Sequence, residues 1–249
     1  MVNKSRFIEV GMPVVFGLFA LGYFPFSKED SSALNRKIKV ENHPPVVKII
    51  SPPNNSAYAL NSMVSYEISV SDKEDGESKY GEINPKEIFL KIKYVKNPRD
   101  VIAQNQIKED LPGLATIKKS NCMNCHFFKT KLIGPSFCDI TRRYAGLANI
   151  QDTLATHILK GSKGRWGDVQ MPSNNQLNWS QAQEVIEWIF KNATDSTIDY
   201  IAGAEGSFRL HPPDTYKNAL LIASYTDHGS KEEPGKGLKG QDVVLIQVK

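Results

Sequence analysis

Cysteine is scarce: Cys122, Cys125 and Cys138 are the only three in 249 residues, too few and too uneven for a disulfide scaffold. Charge of one sign is lacking too. The net charge is +4 and no basic run is interleaved with aromatics, so nothing points to a nucleic-acid partner. Nucleotide-binding glycine motifs and a separate nucleophile–base set are missing as well, which argues against a self-sufficient enzyme. Hydrophobic and charged contents of 40% and 23% are ordinary for a folded, water-exposed chain with room for one large domain or two small ones. Long apolar runs are limited to one. After Lys4 and Arg6, residues 12–26 form a mostly apolar stretch shorter than the roughly 20 residues of a comfortable membrane span. Ala20-Leu21-Gly22 offers a small-x-small cleavage pattern. Export is the expectation, with residues 1–26 either removed as a signal peptide or kept as an N-terminal anchor, residues 7–26 then associating with the membrane. Residues 27–43 read as a polar linker.

Beyond the linker, residues 46–50, 63–70 and 87–95 are short runs rich in β-branched and aromatic residues, bounded by Pro, Asn, Ser and Asp. Such runs read as strands. About four strands fit before residue 97, few for a closed sandwich. From about 108 to 193 the pattern turns helical. In "SQAQEVIEWIFKN", Ala182, Val185, Ile186, Ile189 and Phe190 share one helix face, and Ser180 with Gln183 reads as a capping box. "NIQDTLATHILKG" reads as a shorter helix with Leu154 and Ile158 inward and Gly161 as its stop. After Ile201 the strand pattern returns in "GSFRL", "ALLIASYTD" and "DVVLIQV". Three strands do not stand alone, but four and three together make seven. The β pieces are therefore either separate appendages or one sandwich interrupted by the helical block. The acidic turn Asp72, Glu74, Asp75 fits a calcium site and an ordinary solvated turn alike.

The six residues "NCMNCH" at 121–126 carry the chemistry. A thioredoxin-like dithiol needs a βαβ setting and a cysteine at a helix N-terminus, and neither is evident. Structural zinc needs four ligands, usually as two pairs; Cys122, Cys125, Cys138 and one of His126 or His157 are the available set. Cys138, however, sits in "GPSFCDITRRY", where Phe137, Ile140 and Tyr144 mark a buried helix face, and a lone cysteine there reads as a small hydrophobe. Covalent haem uses every residue of the motif. Two thiols add to two vinyl groups and the adjacent histidine is delivered to the iron.

That reading requires companions, and they are present. Pro135 follows His126 by nine residues, and a carbonyl there can accept the Nδ1–H, turning Nε2 to the iron. The loop "LKGSKGRWGDVQMPSN" leads to Met171-Pro172, 45 residues beyond His126, where a thioether can approach the open haem face on a backbone stiffened by proline. Met123 lies inside the attachment loop, and His157 reads as a surface residue. Through "NCMNCH", "IGPSF", "DITRRYAG", "LATHILKGSKGRWGDVQMP" and "VIEWIF", the block from 113 to 192 resembles a small bacterial class I cytochrome c. The resemblance covers about a third of the chain. It implies one covalent haem c in a helical fold whose first and last helices cross near Gly113, Ile117 and Trp188. It also implies His126 and Met171 as axial ligands, Trp166 donating to a haem propionate, and Asn174 near the Met171 sulfur. "SDKEDG", "GEINPKEIFLKIKYV" and "LLIASYTDHG" are similar to periplasmic proteins that join a PKD-like, immunoglobulin-type module to a cytochrome c.

The expected fold class is α + β multidomain: an all-α cytochrome c domain at 108–193, flanked by PKD/immunoglobulin-like β-sandwich segments at 44–104 and 204–249. His/Met ligation leaves no open iron position and suits one-electron transfer. The expected function is therefore a periplasmic electron carrier, soluble or anchored to the inner membrane, and not an enzyme. Its partners would be redox proteins, a dehydrogenase donor or a terminal oxidase acceptor. Two alternatives stay open: a peroxidase-like site opened by loss of Met171, and a haem-bearing β-sandwich scaffold subunit of a larger dehydrogenase or oxidase assembly. Residues 108–191 carry eleven Lys/Arg against seven Asp/Glu, and Lys129, Lys131, Lys160, Lys163 and Arg165 are candidates for steering an acidic partner.

Overall fold

A computed structural model describes residues 41–97, 99 and 110–249 of the chain. The N-terminal signal or anchor and most of the linker lie outside the described residues, which fall within one compact unit, Lys39–Lys249. Five strands precede the helices: β1 (Val46–Ser51), β2 (Ser56–Tyr58), β3 (Met63–Asp72), β4 (Gly76–Glu77) and β5 (Phe89–Val95). Four helices follow: α1 (Pro112–Lys119), α2 (Phe137–Tyr144), α3 (Ile150–Lys160) and α4 (Trp179–Asn192). Four strands then close the chain: β6 (Ile198–Ala202), β7 (Glu205–Arg209), β8 (Asn218–Thr226) and β9 (Lys239–Val248).

Two sheets form. In one, β3 pairs antiparallel with β1, β4 and β7. The other runs β2-β9-β8-β5-β6. Strand β3 shows why they meet: Val64, Tyr66, Ile68 and Val70 alternate inward while their neighbours face water. They share one apolar core with Leu90, Ile92 and Tyr94 of β5 and Ala219, Leu221, Ala223 and Tyr225 of β8. Strand β5 pairs with β8 along one edge and β6 along the other. The whole helical block is thus enclosed between two neighbouring strands of one sheet. Nine strands stand among the described residues where about seven were expected; the sequence pattern locates six, β2, β4 and β6 are the ones it does not, and β6 begins at Ile198, ahead of the expected return after Ile201.

The five-stranded sheet is buried on its second face as well. Phe89, Ile198, Tyr200 and Ala202 join the core of the helical block, in one cluster with Ile117, Phe128 and Trp188. Tyr200 meets Phe128 and Trp188 edge-on at centroid separations of 5.1 and 5.4 Å, a geometry worth about 0.5–1.5 kcal/mol per pair beyond burial. Nearby the half-buried Asp110 carboxylate bridges Lys118 and Lys239, each at 2.7 Å. Burial pushes the Lys118 ammonium down to about 8 against the pull of Asp110. Burial raises the Asp110 carboxyl, but the two ammonium groups outweigh it and the net shift is downward. One positive charge of the basic surplus, Lys118, is therefore structural.

Asp199, on β6, stands in the opposite condition. Burial pushes its carboxyl up to about 6 despite the Tyr200 N–H and Lys129. A carboxyl with a raised folded pKa favours the folded state at low pH, and loses that contribution as pH rises from about 4 through 6. Asp199→Asn is expected to flatten this window and to add about 1–2 kcal/mol of stability at neutral pH. Urea midpoints measured on both sides of the window test it; an Asn variant less stable at neutral pH contradicts the assignment.

Candidate functional site

The 121–126 segment leaves α1 through Asn121, in the left-handed region at φ 57°. A short 3-10 turn over Cys122–Asn124 follows, closed by Cys125 N–H and His126 N–H donating to Cys122 O at 3.2 and 3.0 Å. One turn therefore carries both thiols and the imidazole. Both cysteines are half-buried and free, and Cys138 is buried on α2. Burial pushes the Cys122 thiol up to about 11, the reverse of the lowered pKa a redox dithiol needs. No group of three or more His, Cys, Asp or Glu side chains placed to hold a metal exists among the described residues, so the four-ligand zinc set is not assembled.

His126 is nearly buried, at 9% exposure, and its ring is fixed from two sides. Phe137 stacks on it at 5.6 Å and 17°. Nδ1 lies 2.7 Å from Pro135 O. Burial lowers the imidazole pKa, more than the Pro135 carbonyl raises it, so the neutral ring donates from Nδ1 and Nε2 keeps its lone pair. Nε2 has no hydrogen-bond partner among the described residues. The loop that returns Pro135 is itself held by Gly134 N–H on Cys125 O at 2.9 Å. A Cβ at Gly134 would fall 2.5 Å from His126 Cε1. The glycine of "IGPSF" is thus as necessary to the ring's seat as the proline, a role that spacing alone did not reveal.

Met171 arrives from the other side of the sequence. Helix α3 stops at Gly161 (φ 78°), and Ser162 and Met171 then exchange backbone hydrogen bonds of 3.1 and 2.9 Å. These two bonds close the base of the 163–170 loop. Asn174 pins the far side: its N–H and its Nδ2 both donate to Ile158 O, at 3.0 and 3.2 Å. That places its amide on the end of α3. Met171 packs half-buried on the apolar cluster that also holds Cys122, Met123 and Phe137, so the fold brings the thioether and the 122–126 turn to one core.

Trp166 sits on this loop, 37% exposed, edge-on to Tyr144 at 6.1 Å and under the Arg143 guanidinium at 4.4 Å. Its indole N–H has no partner among the described residues. His157 is half-buried, where a surface position was expected, and desolvation first, then Arg165, lowers its pKa. Lys129 leaves the expected steering face: its ammonium donates to the carbonyls of Ala193 and Asp195 beyond α4. Lys131, Lys160, Lys163 and Arg165 remain exposed. The helix crossing is close at Gly113, where a Cβ would fall 2.6 Å from Trp188 Cβ.

The donor set is one unpartnered imidazole nitrogen, one thioether and two thiols, with Met171 and Cys122 on an apolar core and a glycine cradle under the ring. It fits a covalently attached haem and does not fit a hard cation. No protein-family model matches the chain. Over 77 residues the chain is 43% identical to cytochrome c-551 of Azotobacter vinelandii, a stretch that is 31% of this chain and 93% of that relative. It is 40% identical over 72 residues to cytochrome c-552 of Hydrogenobacter thermophilus, 29% of this chain and 72% of the relative. The crystal structure of wild-type Nitrosomonas europaea cytochrome c552 is 36% identical, with a TM-score of 0.31, covering 31% of this chain and 96% of that one.

Proposed function

Because the chain belongs, over about 31% of its length, to the c-551/c-552 group of class I c-type cytochromes, which carry covalently bound c-type haem, we propose that it is an exported one-electron carrier with a single haem held by Cys122 and Cys125 and ligated by His126 and Met171. The bound haem supplies a one-electron iron couple. Everything else is the work of this chain's residues. Pro135 O fixes the His126 tautomer so that Nε2 stays free to bind. The Ser162–Met171 bridge and Asn174 hold the thioether on its loop. Phe137, Met123 and Phe128 exclude water, and Trp166 offers an unpartnered N–H to a propionate. Two protein ligands leave no site for substrate, so the same residues that bind the cofactor make this a carrier and not an enzyme.

The observation that carries the proposal is the His126 Nδ1–Pro135 O bond, which leaves Nε2 free on a ring stacked against Phe137, a member of the core that Met171 also joins. The test is Met171→Ala. Its ferric spectrum should lose the weak far-red sulfur–iron band and move towards high spin, and its reduction potential should fall by on the order of 0.1 V or more. A far-red band that survives would show that Met171 is not the ligand.

For the remainder of the chain we infer one PKD/immunoglobulin-like sandwich interrupted by the cytochrome. In this division β1–β5 and β6–β9 form one domain, and 108–193 is inserted between them. The inserted domain faces a periplasmic redox partner, a dehydrogenase donor or an oxidase acceptor, with Lys131, Lys160, Lys163 and Arg165 available to attract an acidic surface. One observation favours the scaffold-subunit reading as a second: Tyr200, Phe128 and Trp188 join sheet and helices in a common core, which would hold the haem in fixed orientation within a larger assembly. Stable co-purification with dehydrogenase or oxidase subunits would support that reading over the free carrier.

A further inference from the structure

Residues 163–170, the loop that leads to Met171, have little of their own to hold a shape. Every one of them is exposed, and Gly164 and Gly167 stand in the left-handed region at φ 80° and 107°. The Ser162–Met171 pair closes the base of the loop. Above that base, no backbone N–H or carbonyl of the loop finds a backbone partner among the described residues. A stretch with so few internal bonds opens easily unless something outside it intervenes.

Helix α2 supplies the outside tie. Arg143, in its last turn, donates from Nη1 to Arg165 O at 2.7 Å. Among the described residues no other hydrogen bond reaches residues 163–170. The same guanidinium lies 4.4 Å from the Trp166 ring and 5.5 Å from that of Tyr144. Tyr144 is buried and meets Trp166 edge-on, so the stack is anchored in the helical block. One planar, permanently charged group thus holds two consecutive residues of the loop, the carbonyl of one and the ring of the next. Arg142 carries the same charge on the same turn and makes no hydrogen bond or ring contact with the loop among the described residues.

On the reading that Met171 is an axial ligand, we propose that Arg143 is a positioning residue, a strut from α2 that holds the 163–170 loop closed and so sets how often the thioether leaves the iron. It acts through Arg165 and Trp166 and not by contact with Met171. The two backbone bonds at the base fix where the loop starts and ends; the strut fixes the part between. Its partner atoms stand at an exposed site where water screens the charge, so the expected scale is a change of about tenfold in loop opening. The same strut separates a closed carrier haem from the open site that a peroxidase-like reaction needs.

Two rates measured on the full-length, haem-loaded protein test the strut. The first is trypsin cleavage after Lys163 and Arg165, read by mass spectrometry, which tracks the population of opened loop. The carbonyl that Arg143 holds belongs to the second of these scissile bonds. Arg143→Ala should be cut about tenfold faster than the wild type, and Arg142→Ala at the wild-type rate. The second is cyanide binding to the oxidised protein, which waits on departure of the sulfur and should accelerate by the same factor in Arg143→Ala alone. Arg143→Gln, which keeps a planar N–H donor without the charge, should fall between the wild type and Arg143→Ala in both rates. All three variants should keep covalent haem and the wild-type far-UV spectrum. Unchanged rates in Arg143→Ala, equal acceleration in Arg142→Ala, or faster cutting without faster cyanide binding would each overturn the inference. A far-red band that survives Met171→Ala would instead strike the ligand assignment, and the trypsin comparison would still decide whether Arg143 holds the loop.

Discussion

A chain in which Cys122 and Cys125 are both serine will carry no covalent haem. The haem that survives denaturation and acid extraction should fall from one per polypeptide to none, the largest effect any pair of substitutions here should produce. The reason lies in the inventory of sulfur. Only three cysteines exist, and the third, Cys138, is buried on α2 with its backbone N–H on Phe128 O. Each single serine variant should keep one thioether bond, retaining haem after denaturation but shifting the reduced α-band towards that of a single unsaturated vinyl. A haem attached there would also be core, since Cys122 and Met171 lie on the apolar cluster of the helical block. The double variant should therefore lose helical structure as well as colour, since a ligand that fills a core stabilises the fold it binds. Covalent haem in the double variant would place the attachment elsewhere and remove the basis of the assignment.

Trp188→Ala should be the most damaging single change to stability, about 3–5 kcal/mol. Trp188 is 5% exposed, backs Gly113 where α1 crosses α4, and touches both Phe128 and Tyr200, at 5.8 and 5.4 Å between centroids. The cavity would open between the sheet and the helices. Because the two share this core, guanidinium unfolding followed by far-UV dichroism and by the haem band should shift together. A haem transition that moves while the β transition stays at its wild-type midpoint would mean that the two cores are energetically independent.

How far the sequence reveals this molecule depends on whether a feature is local. The turn of "NCMNCH", the carbonyl at Pro135 and the Met171-Pro172 loop are local patterns with fixed spacing, and the structure places them around one core. Helix α4 was legible from its apolar face, but its start was not. Asn178 accepts from Gln181 N and Gln181 reaches back to Asn178 N–H, both at 2.9 Å, two residues ahead of the expected Ser180–Gln183 box. Both pairs satisfy the same pattern, and only the backbone course decides between them. Strand β6 was missed because its apolar residues Ile198 and Tyr200 face the helical block and not the inter-sheet core. Their partners, Phe128 and Trp188, lie on other elements of the chain. Charge misled for the same reason. Lys118 and Lys129 counted towards a basic surface, yet one is locked on Asp110 and the other caps the end of α4. Glycine was the quietest signal. Gly113 and Gly134 act through the side chain they lack, which becomes visible only when a neighbour stands where a Cβ would be.

The central claim is that His126 and Met171 close both faces of the iron, and ligand challenge of the haem-loaded wild-type protein tests it most directly. Carbon monoxide added to the reduced protein and cyanide to the oxidised protein should leave the low-spin spectra unchanged on the timescale of mixing, and redox titration should give a single one-electron transition. Prompt binding of either ligand, with a high-spin ferric spectrum, would mean an open coordination position and a catalytic haem in place of a carrier.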